Sequence, residues 1–258
     1  YEPDPGTTPL WSQTTVTGLF DSDRDIEQLC ADIRDAWHQR TQQALPEIEV
    51  TLVEDKDWER AWMDDFQPLK FGERLWLVHR WHDAPDPDAA NLMLDPGLAF
   101  GTGTHPTTAL CLEWLDGQDA HGKQVIDYGC GSGILGLAAL LLGADHVIGV
   151  DTDPQALEAS RENARRNGVE DSKLDLFLPE DEPETKADIM LANILAQPLI
   201  GLASHLASRT RPGGDLVLSG ILSSQAREVM AAYEPWFVMD EPEQREEWIR
   251  LTGRRIGG

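Results

Sequence analysis

The sequence has only three cysteines, few basic residues and no long apolar run. Cys30, Cys111 and Cys130 are far apart and lack the spacing of metal ligands, so we expect neither a disulfide framework nor a zinc site, and a reducing, cytoplasmic setting. No apolar stretch reaches the roughly 18 residues that a transmembrane helix needs. The first residues carry no basic segment before an apolar one, so we expect no signal peptide.

Acidic residues outnumber basic ones, with 46 Asp and Glu against 21 Lys and Arg and a formal net charge of −25. Such a surface repels phosphate backbones, which predicts that the chain has no direct nucleic-acid partner. The acidic excess is densest in residues 1–66, where it would suit the docking of a basic protein; adaptation to high salt explains it equally well. The closest histidine pair, His79 and His82, is typical of a solvated surface, and we expect no metal site.

Residues 124–134 organise the rest of the chain, because an apolar run there meets three glycines at alternate positions. Gly129, Gly131 and Gly133 would let the backbone turn sharply and approach a ligand closely. The aliphatic stretch Ile134–Leu142 then predicts a helix. A strand that enters a helix through such a loop is typical of proteins that bind nucleotide-like ligands.

The spacing of this loop indicates which ligand it binds. The dinucleotide fingerprint G-x-G-x-x-G is absent, since Ile134 stands three residues after Gly131. The pattern D-x-G-x-G-x-G, from Asp127 to Gly133, is instead similar to the first motif of the S-adenosylmethionine-dependent methyltransferases. A second predicted strand ends at Asp151, whose carboxylate can accept two hydrogen bonds from a ribose diol. Dinucleotide-binding proteins share that feature, so Asp151 alone does not decide the ligand.

The segment Leu94–Thr108 predicts a bent loop that leads into a helix. Gly101 and Gly103 bend the loop, and Pro106 suits the first turn of the helix. Thr107 and Thr108 then place hydroxyl groups at the positive end of the helix dipole. This arrangement favours a ligand carboxylate at that helix end.

Strands and helices alternate after residue 123, which predicts an α/β fold with a doubly wound, mostly parallel sheet. The last two predicted strands, Trp236–Met239 and Glu247–Thr252, have no helix between them, so the sheet should end in an antiparallel hairpin. The other predicted elements are strands at His146–Val150, Leu174–Leu178, Asp188–Asn193 and Asp215–Leu218, and helices at Pro154–Asn167, Pro198–Arg211 and Ser223–Tyr233.

Residues 1–53 predict a small α+β domain, with strands at Thr14–Phe20 and Ile48–Val53 and a helix at Asp25–Gln43. One helix on two strands buries little apolar surface, so this domain is expected to be partial. Either a further strand and helix precede Tyr1 in the full protein, or the domain packs on its neighbour. Residues 54–93, with a predicted helix, form a connector, and residues 94–258 form the second domain.

The chain resembles the ribosomal protein L11 methyltransferase family, PrmA, over nearly all its length. The segments that carry the resemblance are 54–60, 94–108, 125–133, 149–153 and 192–196. The resemblance implies a ferredoxin-like N-terminal recognition domain, here truncated, a linker helix, and a class I methyltransferase domain with a seven-stranded sheet. It also implies transfer of methyl groups from S-adenosylmethionine to lysine side chains or the N-terminal amine of ribosomal protein L11, a basic partner. We expect the chain to be a monomer.

Carried over residue by residue, the resemblance assigns cofactor contacts to Thr108, Gly129, Asp151 and Asn193. We expect Gly103, Thr104, Asp127, Gly131 and Gly133 to complete the cofactor site. Thr108 would meet the methionine carboxylate and Asp151 the ribose, while Asn193, at the end of the fourth strand of the sheet, would align the attacking amine. His105 is the nearest titratable group that could take a proton, although a histidine before a helix-starting proline is more typical of a cap.

Two other functions remain open. A nucleic-acid amino methyltransferase would also have an Asn at this strand end, usually followed by prolines and an aromatic residue that stacks on a flipped base. Here Asn193 is followed by Ile-Leu-Ala, and the acidic net charge opposes nucleic-acid binding. The other alternative is a ribosome assembly factor that binds the cofactor without catalysis. Labelled methyl transfer to ribosomal proteins would separate it from an enzyme.

Overall fold

The computed structural model describes residues 17–21, 24–45, 48–51, 67–94, 103 and 105–257. The chain divides into two compact units, Tyr1–Glu59 and Arg60–Gly258. The predicted linker helix within 54–66 lies outside the described residues, and so does most of the predicted loop between 95 and 104. Over the residues described, no helix is long and apolar enough to cross a membrane.

In the first unit, the described residues form one helix, α1 (Ile26–Thr41). Asp25 is its N-cap, and the Asp25 carboxylate accepts a hydrogen bond from the Gln28 amide at 3.1 Å. The predicted apolar stripe is present on this helix, but none of its side chains is fully buried.

The two strands predicted for the first unit need a correction. Their described parts, 17–20 and 48–51, are irregular. Leu19, Phe20 and Val50 in these parts are more than half exposed. A strand is stable only when one of its faces packs on other apolar groups, and the described residues of this unit supply no such face.

The second unit is an α/β fold, and its described elements follow the predicted alternation of strands and helices. Three short strands come first: β1 (Leu69–Phe71), β2 (Leu75–Val78) and β3 (Ala90–Met93). The later elements are α2 (Pro106–Asp116), β4 (Gln124–Tyr128), α3 (Ile134–Leu141), β5 (His146–Val150), α4 (Pro154–Arg166), β6 (Leu174–Phe177), β7 (Ala187–Asn193), α5 (Ala196–Arg209), β8 (Thr210–Leu222), α6 (Ala226–Tyr233), β9 (Phe237–Met239), β10 (Glu243–Arg245) and β11 (Trp248–Arg255). The strands β8 and β11 extend further than predicted. They pair with each other from Asp215 to Leu222 of β8, while Thr210, at the start of β8, pairs with Ala187 of β7.

The strands β4 to β11 form one mixed sheet in the order β6-β5-β4-β7-β8-β11. Neighbours among β4 to β8 are parallel, and β11 runs antiparallel to β8. The short strands β9 and β10 pair with opposite ends of the outer edge of β11, both antiparallel. The described sheet is therefore seven strand positions wide, and its last position is divided between two short strands.

Successive residues of the central strands pack on opposite faces of the sheet. Val125 of β4 and Ile189 of β7 belong to a core under α2 and α3. Ile126 and Met190, the next residues along, belong to a second core under α5 and α6. All four side chains are inaccessible to solvent. Helices on both faces explain why these strands are continuous apolar runs in the sequence.

The strands β1 to β3 form a small sheet in which β1 and β2 are antiparallel and β2 and β3 are parallel. Phe71 and Leu75 join the core under α2. The carboxylate of Asp116, at the end of α2, accepts hydrogen bonds from the amides of Glu73 at 2.7 Å and Arg74 at 2.9 Å. Much of the predicted connector is thus an integral part of the second unit.

Met93, at the end of β3, is bound on its outer edge by the side chain of Asn167, which directly follows α4. The Met93 amide donates to Asn167 Oδ1 at 2.7 Å, and Asn167 Nδ2 donates to the Met93 carbonyl at 2.8 Å. The side-chain amide therefore makes the pair of hydrogen bonds that a residue of a neighbouring strand would make.

The order of the strands reverses beside β4, and this reversal locates the candidate site. The chain runs from β4 outward to β5 and β6, and then returns to β7 on the other side of β4. In open α/β sheets, ligands bind at the carboxyl ends of the strands beside such a reversal. Gly129 and Asp151 follow β4 and β5, and Asn193 ends β7, so the fold brings the three residues to one edge.

Candidate active site

The glycine loop that joins β4 to α3 is fixed by backbone hydrogen bonds. The amides of Gly129 and Cys130 both donate to the Val150 carbonyl, at 2.7 and 3.1 Å, which ties the loop to the end of β5. The Gly133 amide donates to the Cys130 carbonyl at 2.8 Å and closes a turn. Gly129, Gly131 and Gly133 have φ values of 78°, 56° and 79°, which other residues rarely adopt. The strand, loop and helix predicted from the sequence are confirmed.

Asp127, the acidic residue of the motif, lies beneath the loop. It is only 1% exposed, and its Oδ2 accepts a hydrogen bond from the Gly136 amide at 3.0 Å, in the first turn of α3. Burial raises the pKa of Asp127 to about 7, while the hydrogen bond from Gly136 opposes this rise and the charge of Asp151 adds to it. The sequence predicts that Asp127 contacts a cofactor; in the structure its carboxylate contacts the helix that follows the loop.

Asp151 directly follows β5 and is half-buried. Its Oδ2 accepts a hydrogen bond from the Gly131 amide at 2.9 Å, and its Oδ1 accepts one from the Asp153 amide at 3.0 Å. A carboxylate has about four acceptor positions, so each oxygen keeps a position for a ribose hydroxyl. The sequence predicts the ribose contact but not the bond that joins Asp151 to the glycine loop.

The helix α2 begins where the sequence predicts, with His105 as its N-cap. His105 Nδ1 accepts a hydrogen bond from the Thr107 amide at 3.4 Å and lies 2.8 Å from Thr107 Oγ1. The imidazole also packs edge-on against Trp248 of β11, with ring centroids 4.9 Å apart. The Thr108 amide donates to the His105 carbonyl at 3.1 Å. His105 is therefore a capping and packing residue, and it already occupies the first amides of the helix.

Thr108 and Asn193 are 85 residues apart in the chain and meet at the sheet edge, where Asn193 Nδ2 donates to Thr108 Oγ1 at 3.3 Å. Thr108 is buried, and Asn193 is half-buried. The bond fixes the orientation of the Asn193 amide, so its Oδ1 faces away from Thr108 as an acceptor. The Thr108 hydroxyl accepts this bond and keeps its own proton, which it can donate to a ligand.

Ile194, the residue after Asn193, occupies a slot between two glycines. A Cβ on Gly129 would lie 2.3 Å from Ile194 Cγ2, and a Cβ on Gly220 would lie 2.3 Å from the Ile194 carbonyl oxygen. Only glycine at both positions leaves room for Ile194, and the slot sets the direction of the chain at Asn193. Sequence reasoning missed Gly220, although an isolated glycine inside an apolar strand often marks a close backbone approach.

The carbonyl groups of the glycine loop are held from α4. Ser160 Oγ donates to the Gly131 carbonyl at 2.8 Å, and Asn163 Nδ2 donates to the Ser132 carbonyl at 2.9 Å. Sequence reasoning missed both side chains. A signal was present, because the buried face of α4 is otherwise formed by Ala156, Leu157 and Ala164, and polar residues inside an apolar stripe need hydrogen-bond partners.

The remaining predicted residues lie close to the loop or outside the described structure. Gly103 is buried, and a Cβ at this position would lie 2.4 Å from Leu77 Cδ2; it therefore packs on β2. Thr104 lies outside the described residues. The position of Cys130 near a helix N-terminus invites the idea of a reactive thiol, but burial raises the pKa of the Cys130 thiol far above its ordinary value. The thiol therefore stays protonated and packs in the loop.

The groups at this edge match the chemistry of S-adenosylmethionine. The glycine loop offers a cradle that side chains would fill, Asp151 offers acceptors for a diol, and Thr108 offers a hydroxyl donor for a carboxylate. Asn193 Oδ1 offers an acceptor beside them. These groups fit a ligand with a nucleoside at one end and an amino acid at the other.

Comparisons with known proteins agree with this chemistry. The sequence profile of a family described as ribosomal protein L11 methyltransferase (PrmA) matches residues 1–256. A curated protein of Marinobacter nauticus with the same description is 85% identical over 258 residues, which cover 100% of this chain and 87% of that protein.

Solved structures with lower sequence identity to this chain are also similar in fold. The crystal structure of a ribosomal protein L11 methylase from Lactobacillus delbrueckii subsp. bulgaricus is 33% identical, with a TM-score of 0.67, over 74% of this chain and 100% of that chain. A 16S rRNA methyltransferase of T. thermophilus (RsmC), in complex with AdoMet and guanosine, is 23% identical, with a TM-score of 0.52, over 61% of this chain and 45% of that chain. The second similarity shows the fold alone.

The raised pKa of Asp127 predicts a pH-dependent stability. The native carboxyl keeps its proton up to about pH 7, while the unfolded chain releases it near 3.8, so the free energy of unfolding falls as the pH rises between these values. The variant Asp127→Asn keeps an acceptor for Gly136 but loses this titration. Its stability relative to wild type should rise by up to a few kcal/mol from about pH 4.5 to pH 8, measured by urea unfolding. Parallel pH profiles for the two proteins would contradict the assignment.

The Ile194 slot predicts different costs for two alanine substitutions in β8. Gly213→Ala is the control, because Gly213 has a φ of 74° and nothing lies near its added Cβ, so the cost is backbone strain of about 1 to 2 kcal/mol. Gly220→Ala has the same strain and also displaces the Ile194 backbone. It should lower the free energy of unfolding by about a further 1 to 3 kcal/mol. Equal losses in urea unfolding would mean that Ile194 moves freely and that the slot does not fix it.

Proposed function

We propose, since this chain belongs to the ribosomal protein L11 methyltransferase family, that it transfers methyl groups from S-adenosylmethionine to amino groups of ribosomal protein L11. The acceptors are lysine side chains, the N-terminal amine, or both. The observation that carries the proposal is the bond between Asn193 and Thr108, because it places an oriented amide oxygen next to the glycine loop. The coproduct is S-adenosylhomocysteine.

The cofactor is held by three groups of residues. Thr108 would donate a hydrogen bond from its hydroxyl group to the methionine carboxylate. Gly129, with the other glycines of the loop, lets the backbone lie against the ligand, and Asp151 accepts hydrogen bonds from the ribose diol. Asp127 acts from beneath, since it is buried and its carboxylate holds α3 to the loop. The burial of Asp127 makes it a positioning residue in this proposal.

The chain must bring a neutral amine into line with the methyl group and exclude water from it. Bound S-adenosylmethionine supplies an electrophilic methyl group on a positively charged sulfur. Asn193 Oδ1 accepts a hydrogen bond from an N–H group of the substrate amine, and this hydrogen bond orients the nitrogen lone pair toward the methyl group. Thr108 fixes the direction of that oxygen through Asn193 Nδ2. Because His105 Nδ1 is committed to Thr107, no proton is routed through that atom.

The partner in this proposal is a basic ribosomal protein, for which a chain with a net charge of −25 is complementary. We propose that residues 1–53, a partial ferredoxin-like domain, contribute to substrate recognition, that residues 54–93 lead from them into the second unit, of which β1 to β3 are part, and that residues 94–258 catalyse the transfer. The protein acts as a cytoplasmic monomer and does not bind nucleic acid directly.

A nucleic-acid methyltransferase is the weaker alternative for a physical reason. Such enzymes stack the flipped base on an aromatic residue close to the catalytic Asn. Here the residue after Asn193 is Ile194, which fills the slot between Gly129 and Gly220, and the next residue is the half-exposed Leu195. Neither side chain provides an aromatic surface.

The decisive experiment is transfer of labelled methyl groups from S-adenosylmethionine to purified ribosomal protein L11. We expect label in L11 and none in L11 whose amines have been blocked by acetylation, because only a free amine can attack the methyl group. Ribosomal RNA in a parallel reaction should stay unlabelled. Binding of S-adenosylhomocysteine without any transfer to L11 would favour the assembly-factor alternative.

Two substitutions should separate cofactor binding from transfer. Asp151→Ala loses two charge-assisted hydrogen bonds of about 1.5 to 3 kcal/mol each, which water replaces in part, so cofactor affinity in titration calorimetry should fall on the order of a hundredfold or more. Asp153→Ala is the matched control, since Asp153 caps α4 by accepting a hydrogen bond from the Gln155 amide. It should lower stability by about 1 kcal/mol and leave the affinity unchanged.

Asn193→Ala should instead lower the rate of transfer. Loss of one positioning hydrogen bond should reduce the single-turnover rate roughly ten- to a thousandfold at saturating cofactor, where the binding contribution is removed. If the variant shows weak cofactor binding but a normal single-turnover rate, Asn193 only holds the ligand, and the alignment of the amine must be assigned to backbone carbonyls.

A further inference from the structure

We infer that Ser160 and Asn163 of α4 are positioning residues for the cofactor, because their side chains hold the glycine loop in its binding conformation before a ligand arrives. The inference rests on the proposed function for the identity of the ligand. Beyond that function, cofactor affinity depends on α4, because two of its side chains form hydrogen bonds with the loop backbone.

Both backbone polar groups of Gly131 are bound by side chains. Its amide donates to Asp151 Oδ2 at 2.9 Å, and its carbonyl accepts from Ser160 Oγ at 2.8 Å. Ser160 is completely buried. Because Asp151 is also the proposed ribose ligand, the orientation of Gly131 is coupled to the residue that the cofactor contacts.

Asn163 extends the same restraint by one residue. Its Nδ2 donates to the Ser132 carbonyl at 2.9 Å, and the side chain is more than nine-tenths buried. Two successive carbonyls of the loop are thus bound by residues one turn apart on α4. With these carbonyls turned toward the helix, the peptide planes of the loop are fixed.

The third glycine of the motif makes this contact possible. A Cβ on Gly133 would lie 2.9 Å from Ser160 Oγ and 3.1 Å from Ser160 Cβ. A larger residue would therefore push α4 away from the loop. Because Gly133 has no side chain and Ser160 has a small one, α4 lies close enough to the loop for Ser160 to form its hydrogen bond with the Gly131 carbonyl.

A glycine-rich loop needs restraints from outside itself. Glycine has the largest backbone freedom of all residues, so an unrestrained loop spends only a fraction of its time in one conformation. The apparent dissociation constant of a ligand rises in inverse proportion to that fraction. Since the amine is aligned at Asn193 and not at the loop, a looser loop should weaken binding and leave the transfer step itself nearly unchanged.

The test compares Ser160→Ala and Asn163→Ala with wild type. Titration calorimetry with S-adenosylhomocysteine should show affinities that are roughly three- to tenfold lower, the effect of one lost hydrogen bond. The single-turnover rate at saturating S-adenosylmethionine should stay within about twofold of wild type. Amide hydrogen exchange of residues 129–133 should be faster in the ligand-free variants and return to the wild-type rate when S-adenosylhomocysteine is bound.

Asn167→Ala is the matched control, because Asn167 directly follows α4 and its side chain binds the backbone of Met93 and of Asn163 instead of the loop. It should lose stability and keep wild-type affinity. Folded Ser160→Ala and Asn163→Ala proteins with wild-type affinity would overturn the inference, and so would an equal loss of affinity in Asn167→Ala. If Ser160→Ala does not fold, Asn163→Ala decides alone.

Failure of the proposed function gives a different result. Wild-type protein that binds S-adenosylhomocysteine but does not methylate L11 would refute the assigned reaction, while the affinity of the variants would still support or overturn the role of α4. Wild-type protein that does not bind S-adenosylhomocysteine at all would refute both.

Discussion

The hydrogen bond from the Gly136 amide to the buried carboxylate of Asp127 is the interaction on which the site depends. The first turn of a helix needs an acceptor for its free amides, and this acceptor usually comes from the side chain at the N-cap. The N-cap of α3 is Gly133, which has no side chain. Asp127, at the end of the preceding strand, supplies the acceptor in its place, so the loop can contain glycine where it turns and the helix still begins in the right place.

This arrangement has an electrostatic cost. A carboxylate with almost no exposure loses its hydration, and burial therefore raises the pKa of Asp127 to about 7. Asp151 stands close enough to raise it further. The hydrogen bond from Gly136 offsets this cost, because it fixes the start of the loop at β4 and its end at α3. Both ends are then tied to neighbours, by the Val150 carbonyl on one side and by α4 on the other.

Most of the second unit could be predicted from the sequence, because its strands and helices differ clearly in hydrophobic period and are separated by Gly, Pro and Asn residues. The pairing of Thr108 with Asn193 could be expected only through the family resemblance, since no local pattern joins residues so far apart. The sequence could indicate that Ser160 needs a hydrogen-bond partner, but the partner itself and the contacts of Ile194 could not be predicted. They depend on how closely α4 and the two strand ends approach the loop, which is a property of the packed structure.

The first unit shows the opposite case. The helix α1 was predictable from its apolar stripe. The alternating pattern of the predicted strands was not sufficient, because residues 17–20 and 48–51 are irregular in the structure. A strand depends on partners elsewhere in the chain for its hydrogen bonds and on an apolar layer for its buried face. A helix satisfies its own backbone, so its sequence pattern is informative even where packing is sparse.

The closure of β3 by Asn167 has a consequence for the chemical durability of the protein. Asn167 is followed by Gly168, and in a mobile chain an Asn-Gly pair is prone to deamidation through a cyclic imide, which requires the following amide nitrogen to reach the side-chain carbonyl. Here the side chain is held at both ends by Met93, and its Nδ2 also donates to the Asn163 carbonyl. Conversion to aspartate would replace a donor by an acceptor opposite the Met93 carbonyl and reopen the edge of the small sheet. The hydrogen bonds between Asn167 and Met93 therefore restrain Asn167 against the deamidation that would break them.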